Sequence, residues 1–152
     1  MDSGRIQALV VATTSGSVVY ERFYARLSDL EKADLRSAFY KASEPALATA
    51  QDEAEFAARY KAGALVFKLE ADLLFYLLGT GEYDELNLAE ALRALVGALR
   101  DTLKRQPTEA LLFDNYGKLC LVVDELINEG ILEATDKEAI QRGIKMKQFG
   151  EP

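Results

Sequence analysis

Apolar residues recur every three or four positions between Leu112 and Leu126, at Leu112, Tyr116, Leu119, Val123 and Leu126. That spacing lines one face of a 3.6-residue helix. Cys120, Leu121 and Val122 fill the gaps, so the middle of the segment is apolar nearly all round. Such a helix must be covered on more than one side. The pattern predicts one long helix from about Thr108 to Glu129, with Pro107 tolerated in its first turn. Gly130 suits the left-handed position after a helix, with Ile131 folding back onto Leu126.

A different period opens the chain. From Arg5 to Thr14 both alternating faces are apolar, with Ile6, Ala8 and Val10 on one and Leu9 and Val11 on the other. That pattern marks a strand covered on both sides. Ser15-Gly16-Ser17 is a turn signal, and Val18 to Tyr24 reads as the second strand of a hairpin. Ser28 with Glu31 forms a capping box for a helix carrying Leu30, Leu35, Ala38 and Phe39. This helix is expected to run to about Ser43 and to end at Pro45, with residues 45–53 as a connecting loop.

Three strands follow, near Phe56–Ala62, Ala64–Leu69 and Leu73–Gly79, with Glu70-Ala71-Asp72 as the turn between the last two. Helix is an alternative over Glu55 to Tyr60. Asn87 with Glu90 caps the next helix, lined by Leu88, Leu92, Leu95, Leu99 and Leu103. Thr135 with Glu138 caps a last short helix carrying Ile140 and Ile144. Short connections within each group of strands make the sheet mainly antiparallel. Strands without a polar face call for helices on both sides. The expectation is therefore one α/β (α+β) domain over residues 1–152, with a five-stranded sheet between helices in the order ββαβββααα. One helix between the two strand groups must cover a whole face alone, so apolar surface should remain exposed near it or along a sheet edge.

Composition then narrows the chemistry. A chain of 152 residues can bury roughly 70% of its unfolded surface as one domain. Its 18 basic and 25 acidic residues give a net charge of −7, which argues against general nucleic-acid binding. One cysteine, Cys120, permits no internal disulfide and suits a reducing cytosol. Amid apolar neighbours it reads as a small core residue rather than a reactive thiol. The N-terminal stretch, with Asp2 where positive charge is wanted, makes a poor signal peptide. No apolar run reaches the roughly 18 residues that span a bilayer.

The chain has no histidine, which removes the commonest general base and most transition-metal sites. Gly79-Thr80-Gly81 lacks the spacing of a phosphate-binding loop, and Glu82, Asp84 and Glu85 lack the ligand alternation of a calcium loop. No catalytic residue, metal site or cofactor is expected.

Two polar features remain. Asp124 and Glu125 are adjacent on a helix, project about 100° apart and cannot easily share a substrate. They read either as a contact to a partner or to nearby backbone donors, or as the polar edge of a buried helix. From Lys137 to Lys147 four bases, Lys137, Arg142, Lys145 and Lys147, face one acid, Glu138. Cations favour a helix C-terminus; the alternative is a site for an acidic partner or an anionic lipid headgroup.

Three blocks carry a family resemblance: ATTSGSVVYERF at 12–23, GEYDELNLAEAL at 81–92, and PTEALLFDNYGKLCLVVDELINEGILEAT at 107–135. The chain resembles the small, longin-like (sigma and zeta) subunits of adaptor and coat complexes. Glu82-Tyr83-Asp84-Glu85-Leu86, Pro107-Thr108-Glu109 and the Ile144-Lys145-Met146-Lys147 tail look closest to the small subunits of plant TPLATE, or TSET, complexes. The resemblance implies a non-enzymatic subunit packed on a large solenoid (adaptin-like) subunit within a heterotetramer. It also implies work in vesicle trafficking and clathrin-mediated endocytosis. Such a protein is cytoplasmic and is recruited through its complex to the plasma membrane or other vesicle-forming membranes, where it can meet anionic lipid peripherally. Clathrin-adaptor members help bind acidic dileucine signals in an apolar pocket near the junction corresponding to Lys104–Leu112. Here that junction carries Arg105-Gln106-Pro107-Thr108, without the pocket's small apolar and cysteine residues, so the activity is not carried over. A coatomer zeta or clathrin-adaptor sigma subunit is one alternative. A longin-like scaffold for small GTPases or a tethering complex is another, and a small-molecule enzyme a remote third. A longin SNARE is disfavoured, since no heptad-bearing helix follows the domain.

Overall fold

The computed structural model describes residues 4–132 and Ile144. Five strands form one sheet: β1 (Ile6–Thr13), β2 (Val18–Phe23), β3 (Glu55–Tyr60), β4 (Gly63–Glu70) and β5 (Leu73–Gly79). Their spatial order is β2-β1-β5-β4-β3. Every ladder is antiparallel, as the short connections predicted. The segment from Glu55 to Tyr60 is strand rather than helix. The central pair, β1 and β5, sets Leu9 opposite Leu77 and Val11 opposite Phe75. All seven residues of β5 are buried, which explains its unbroken apolar run.

Helices cover both faces. On one side α1 (Asp29–Leu47) sets Leu35 and Phe39 against Ala8, Val10, Leu74 and Tyr76. Phe39 stacks on Tyr76 with centroids 5.1 Å apart, and Phe67 tilts against the same tyrosine at 5.6 Å. On the other side α2 (Glu85–Leu103) and α4 (Tyr116–Leu126) bring Leu92, Leu95, Leu119 and Val123 onto Leu9, Val11 and Leu77. Ile144 is buried with this second group. The order ββαβββααα therefore holds, with its boundaries revised at several points.

The helix expected as one piece from Thr108 to Glu129 is two. α3 (Glu109–Asp114) and α4 are separated at Asn115, whose φ of −128° and ψ of 36° are not helical. Asn115 donates both its backbone N–H (3.0 Å) and its side-chain amide (2.9 Å) to the Leu111 carbonyl. A local side-chain bond of this kind competes with helix continuation. Pro107 lies before the cap rather than in the first turn, because Thr108 is the N-cap and accepts from Leu111 N–H at 3.3 Å. The break shifts the helical phase. Tyr116 leaves the core face and is 46% exposed, while Val122 takes the buried place beside Leu119, Val123 and Leu126.

α4 also stops early. Ile127–Asn128 (β6) pairs with Ile131–Leu132 (β7) across Glu129 and Gly130. Both turn residues have positive φ, 49° and 84°, the backbone of a two-residue hairpin turn. Gly130 is thus left-handed as expected, but in a hairpin rather than a helix stop. Ile131 is 40% exposed. The Gly130 carbonyl accepts from Ile6 N–H at 2.7 Å, and a Cβ on Gly130 would lie 2.5 Å from the Ile6 carbonyl oxygen.

Smaller corrections have equally local causes. Pro45 lies inside α1, which continues to Leu47. The missing amide costs one bond in the last turns, and Ser43 holds that stretch by accepting from the buried Tyr76 hydroxyl at 2.8 Å. The capping box of Ser28 and Glu31 is present as predicted. Asp84, not Asn87, caps α2, accepting from Asn87 N–H at 3.0 Å while the Asn87 side chain donates to the Glu82 carbonyl. The predicted helix starting at Thr135 lies outside the described residues.

Candidate partner-binding surfaces

Asp124 emerges from α4 beside the edge strand β2. Its Oδ1 accepts from Arg22 Nη1 at 2.8 Å, with both side chains about half exposed. Arg22 also lies over the Tyr24 ring, 5.5 Å from its centroid. Tyr20 meets Tyr116 edge-on at 5.8 Å. Burial pushes the phenols of Tyr20 and Tyr24 above their ordinary range. Glu125 is half-buried on the same helix. The predicted pair therefore diverges, with Asp124 held to β2 and Glu125 one step round. Phe113, 60% exposed, and Tyr116 leave an aromatic surface along the α3–α4 break. Cys120 lies at its margin, half-buried rather than fully in the core, and burial raises its thiol above the usual value. Lys137, Arg142, Lys145 and Lys147 lie outside the described residues.

A second polar feature escaped the sequence reading. Glu70, expected in a turn, ends β4 and is fully buried. Its carboxylate accepts from Arg100 Nη2 at 2.8 Å and from Gln106 Nε2 at 2.9 Å, and Lys68 Nζ lies 3.6 Å away. Arg100 also reaches Glu53 at 2.7 Å, and Gln106 reaches Asp52 at 3.0 Å. Further along, Arg93 holds Glu55 with bonds of 2.8 and 2.9 Å. The Gln106 amide, chiefly, lowers the Asp52 carboxyl, and the Arg93 guanidinium lowers that of Glu55. The signal was present in β4. Val66, Lys68 and Glu70 alternate on the face toward α2, and an alternating charged pair on an otherwise apolar strand asks for buried partners.

This cluster stands at the junction where the resemblance places an apolar pocket. A hollow of about 550 Å³ there is lined by Asp52, Glu53, Arg100, Asp101, Lys104, Arg105 and Gln106. All of these but Gln106 are charged. The turn that follows needs only Ala71 and Asp72, with Ala71 at a positive φ of 52°.

On the α1 side, two hollows flank the connection from β2 to α1. Leu27, Leu35, Tyr60 and Leu78 line one of about 240 Å³. Phe23, Arg26, Leu27 and Lys32 line the other, of about 450 Å³. Leu30, next to them in the first turn of α1, is 81% exposed. The apolar surface expected beside the solitary helix is thus present.

Among the described residues no group of three or more His, Cys, Asp or Glu could hold a metal ion, and no helix is long and apolar enough to cross a membrane.

A family model described as "Clathrin adaptor complex small chain" matches residues 5–150. The chain belongs to this family. The small chain is 24% identical over 143 residues to the TSET complex member tstD of Dictyostelium discoideum, covering 93% of each protein. It is 28% identical over 83 residues to human coatomer subunit zeta-1, covering 55% of the small chain and about half, 47%, of that protein. In three dimensions it matches a chain from a homology model of the full-length AP-3 complex in a stretched open conformation. The TM-score is 0.67 at 15% identity, with 95% and 94% of the two chains covered, a likeness of fold. The longin-like architecture and the resemblance to TSET small subunits both stand. The family is one of adaptor-complex subunits, not of enzymes.

Proposed function

We propose that this small chain is the small subunit of a heterotetrameric, TSET-type adaptor complex. The observation that carries the reading is that the match to tstD spans 93% of both proteins, whereas the match to Arabidopsis thaliana coatomer subunit zeta-2 spans 93% of this chain but 79% of that protein. In this role the chain catalyses nothing. It packs against a large solenoid, adaptin-like subunit and contributes to vesicle trafficking and clathrin-mediated endocytosis. It works in the cytoplasm and reaches the plasma membrane or another vesicle-forming membrane through its complex. The exposed Phe113 and Tyr116 support a large apolar contact on the α3–α4 side. Asp124 and Glu125 border that surface and are assigned to the same interface. Lys137, Arg142, Lys145 and Lys147 are assigned to anionic lipid or a second, acidic partner. The charged hollow at Lys104–Gln106 speaks against a dileucine pocket at that junction.

Co-expression with the cognate large subunit tests this. The pair should survive gel filtration at moderate salt, as a durable interface would. Phe113→Asp combined with Tyr116→Asp should split it without unfolding the chain, whereas replacing Lys137, Arg142, Lys145 and Lys147 by Ala should leave it intact. A chain that stays monodisperse alone and never co-purifies with the solenoid subunit sinks the reading. That outcome would promote the GTPase-scaffold alternative.

A further inference from the structure

The two edges of the sheet differ as templates for a further strand. At β2 a bulge against β1 interrupts the register, and the charged side chains are engaged, Glu21 by Arg36 and Arg22 by Asp124. β3 forms the other edge, and its register is regular from Glu55 to Tyr60. Leu69 N–H donates to the Ala54 carbonyl at 2.9 Å, which fixes the alternation: Ala54, Phe56, Ala58 and Tyr60 turn their backbone groups toward β4. Those of Glu55, Ala57 and Arg59 therefore point away from the sheet, and none of the three makes another backbone bond among the described residues. Their side chains are exposed on the side of α2, while Phe56, Ala58 and Tyr60 are half-buried on the side of α1. An edge with unpaired N–H and C=O groups is a template for another strand.

We propose that β3 pairs with β3 of a second copy of this chain, antiparallel about a two-fold axis at Ala57, so that one sheet runs through both copies. The occupant follows from the residues of the edge itself. Centred on Ala57, the register sets Glu55 opposite Arg59 of the second copy and Arg59 opposite its Glu55, with the small Ala57 against its own equivalent. On the α1 side each Phe56 meets Ala58 of the other copy, a large residue against a small one. Charge agrees with this pairing. Arg59 forms no ion pair among the described residues. A hollow of about 230 Å³ beside the edge is lined by two acids, Glu55 and Glu85, and one base, Arg93. Lys68, buried beneath Glu55, is shared with Glu70. The incoming Arg59 offsets the surplus acid, and its stem covers Leu86, which is 77% exposed. A contact one strand wide is small, so the pair is weak and reversible. It lies at the opposite end of the sheet from Tyr116, which packs on Tyr20 of β2, and does not rest on the adaptor reading.

Sedimentation equilibrium of the full chain, from micromolar to millimolar concentration, should show a monomer–dimer equilibrium. Arg59→Glu turns both symmetric charge pairs repulsive and should weaken association about tenfold at an unchanged melting temperature. Ala57→Pro removes the amide at the axis and should abolish association. In a Cys120→Ser background, Ala57→Cys should cross-link to its own equivalent under oxidised glutathione, because directly opposite Cα atoms lie about 5.5 Å apart. Ala58→Cys, whose equivalent sits on the diagonal at about 7–8 Å, should not. A chain that stays monomeric at millimolar concentration overturns the proposal. So does a dimer that Arg59→Glu leaves unchanged, or cross-linking of both cysteine variants alike. Association that Phe113→Asp with Tyr116→Asp abolishes overturns it as well, and assigns the self-contact to the α3–α4 side.

Discussion

The two faces of the sheet are covered by different means. Toward α2 and α4, two helices lay rows of leucine and valine over the strands, and packing is continuous from Leu9 to Leu126. Toward α1, a single helix suffices because the sheet itself presents large rings. Phe39, Tyr76, Phe67 and Phe56 form a chain of stacked and tilted ring contacts that spreads sideways toward β3, with Phe56 and Phe67 centroids 5.1 Å apart. Aromatic side chains bury more area each than aliphatic ones, so fewer helical residues are needed above them. The cost of this economy is an incomplete roof. Hollows remain at the start of α1, whereas on the doubly covered face the buried Glu70 gathers Arg100, Gln106 and Lys68 into a cluster at the rim.

That contrast can be broken most forcefully at the solitary helix. Phe39→Ala should cost about 3–5 kcal/mol, since no second helix can settle into the gap. Leu119→Ala on the closed face should cost about 2–5 kcal/mol. Denaturant melts measure both, and a loss under about 1 kcal/mol at Phe39 would show that α1 is not the main cover. Glu70→Ala probes the rim. Removing it strands Lys68 and Arg100, and about 2–3 kcal/mol should be lost, below the value for a wholly buried pair because Arg100 stays a third exposed.

Acid should act on the rim before the aromatic face. The Asp52 and Glu55 carboxyls are held below their ordinary range by Gln106 and Arg93. A depressed folded pKa contributes stability that is complete above the unfolded value and is lost as pH falls through the folded one. Melting temperature should therefore hold down to about pH 4 and decline below it. Arg93→Gln should move the Glu55 titration, followed by carboxyl NMR, back toward an ordinary glutamate. The smallest effect is expected at the exposed Arg22–Asp124 pair, where Asp124→Asn should change stability by less than about 1 kcal/mol. A larger loss would make that pair a structural element in its own right.

Much of this was legible in the chain. Two-sided apolar runs at Ile6–Val11 and Leu73–Leu78 fixed the central strands, and the Ser28–Glu31 box fixed the start of α1. The break at Asn115 was not, because apolar spacing continued across it, and a single amide bond to Leu111 decided the local backbone. Glu70 was misread for a related reason. Its place between Leu69 and Ala71 looked like a turn, and the partners that make its burial tolerable, Arg100 and Gln106, lie 30 and 36 residues away. The surface pair Asp124 and Glu125 was placed correctly on a helix, but the Arg22 contact spans 102 residues and no periodicity announces it.

The latch between Gly130 and Ile6 has a consequence for the timing of assembly. The first amide of β1 is satisfied by a hairpin more than a hundred residues downstream, and β1 itself is an inner strand of the sheet, between β2 and β5. A ribosome therefore delivers this inner strand first and its neighbour β5 and latch much later. In the interval, Ile6–Ala12 has only β2 beside it and presents a bare apolar edge. Such an order favours slow, non-local closure and a need for protection during synthesis. For a nascent chain of this kind, a chaperone or an early-arriving partner is most useful before Gly130 emerges.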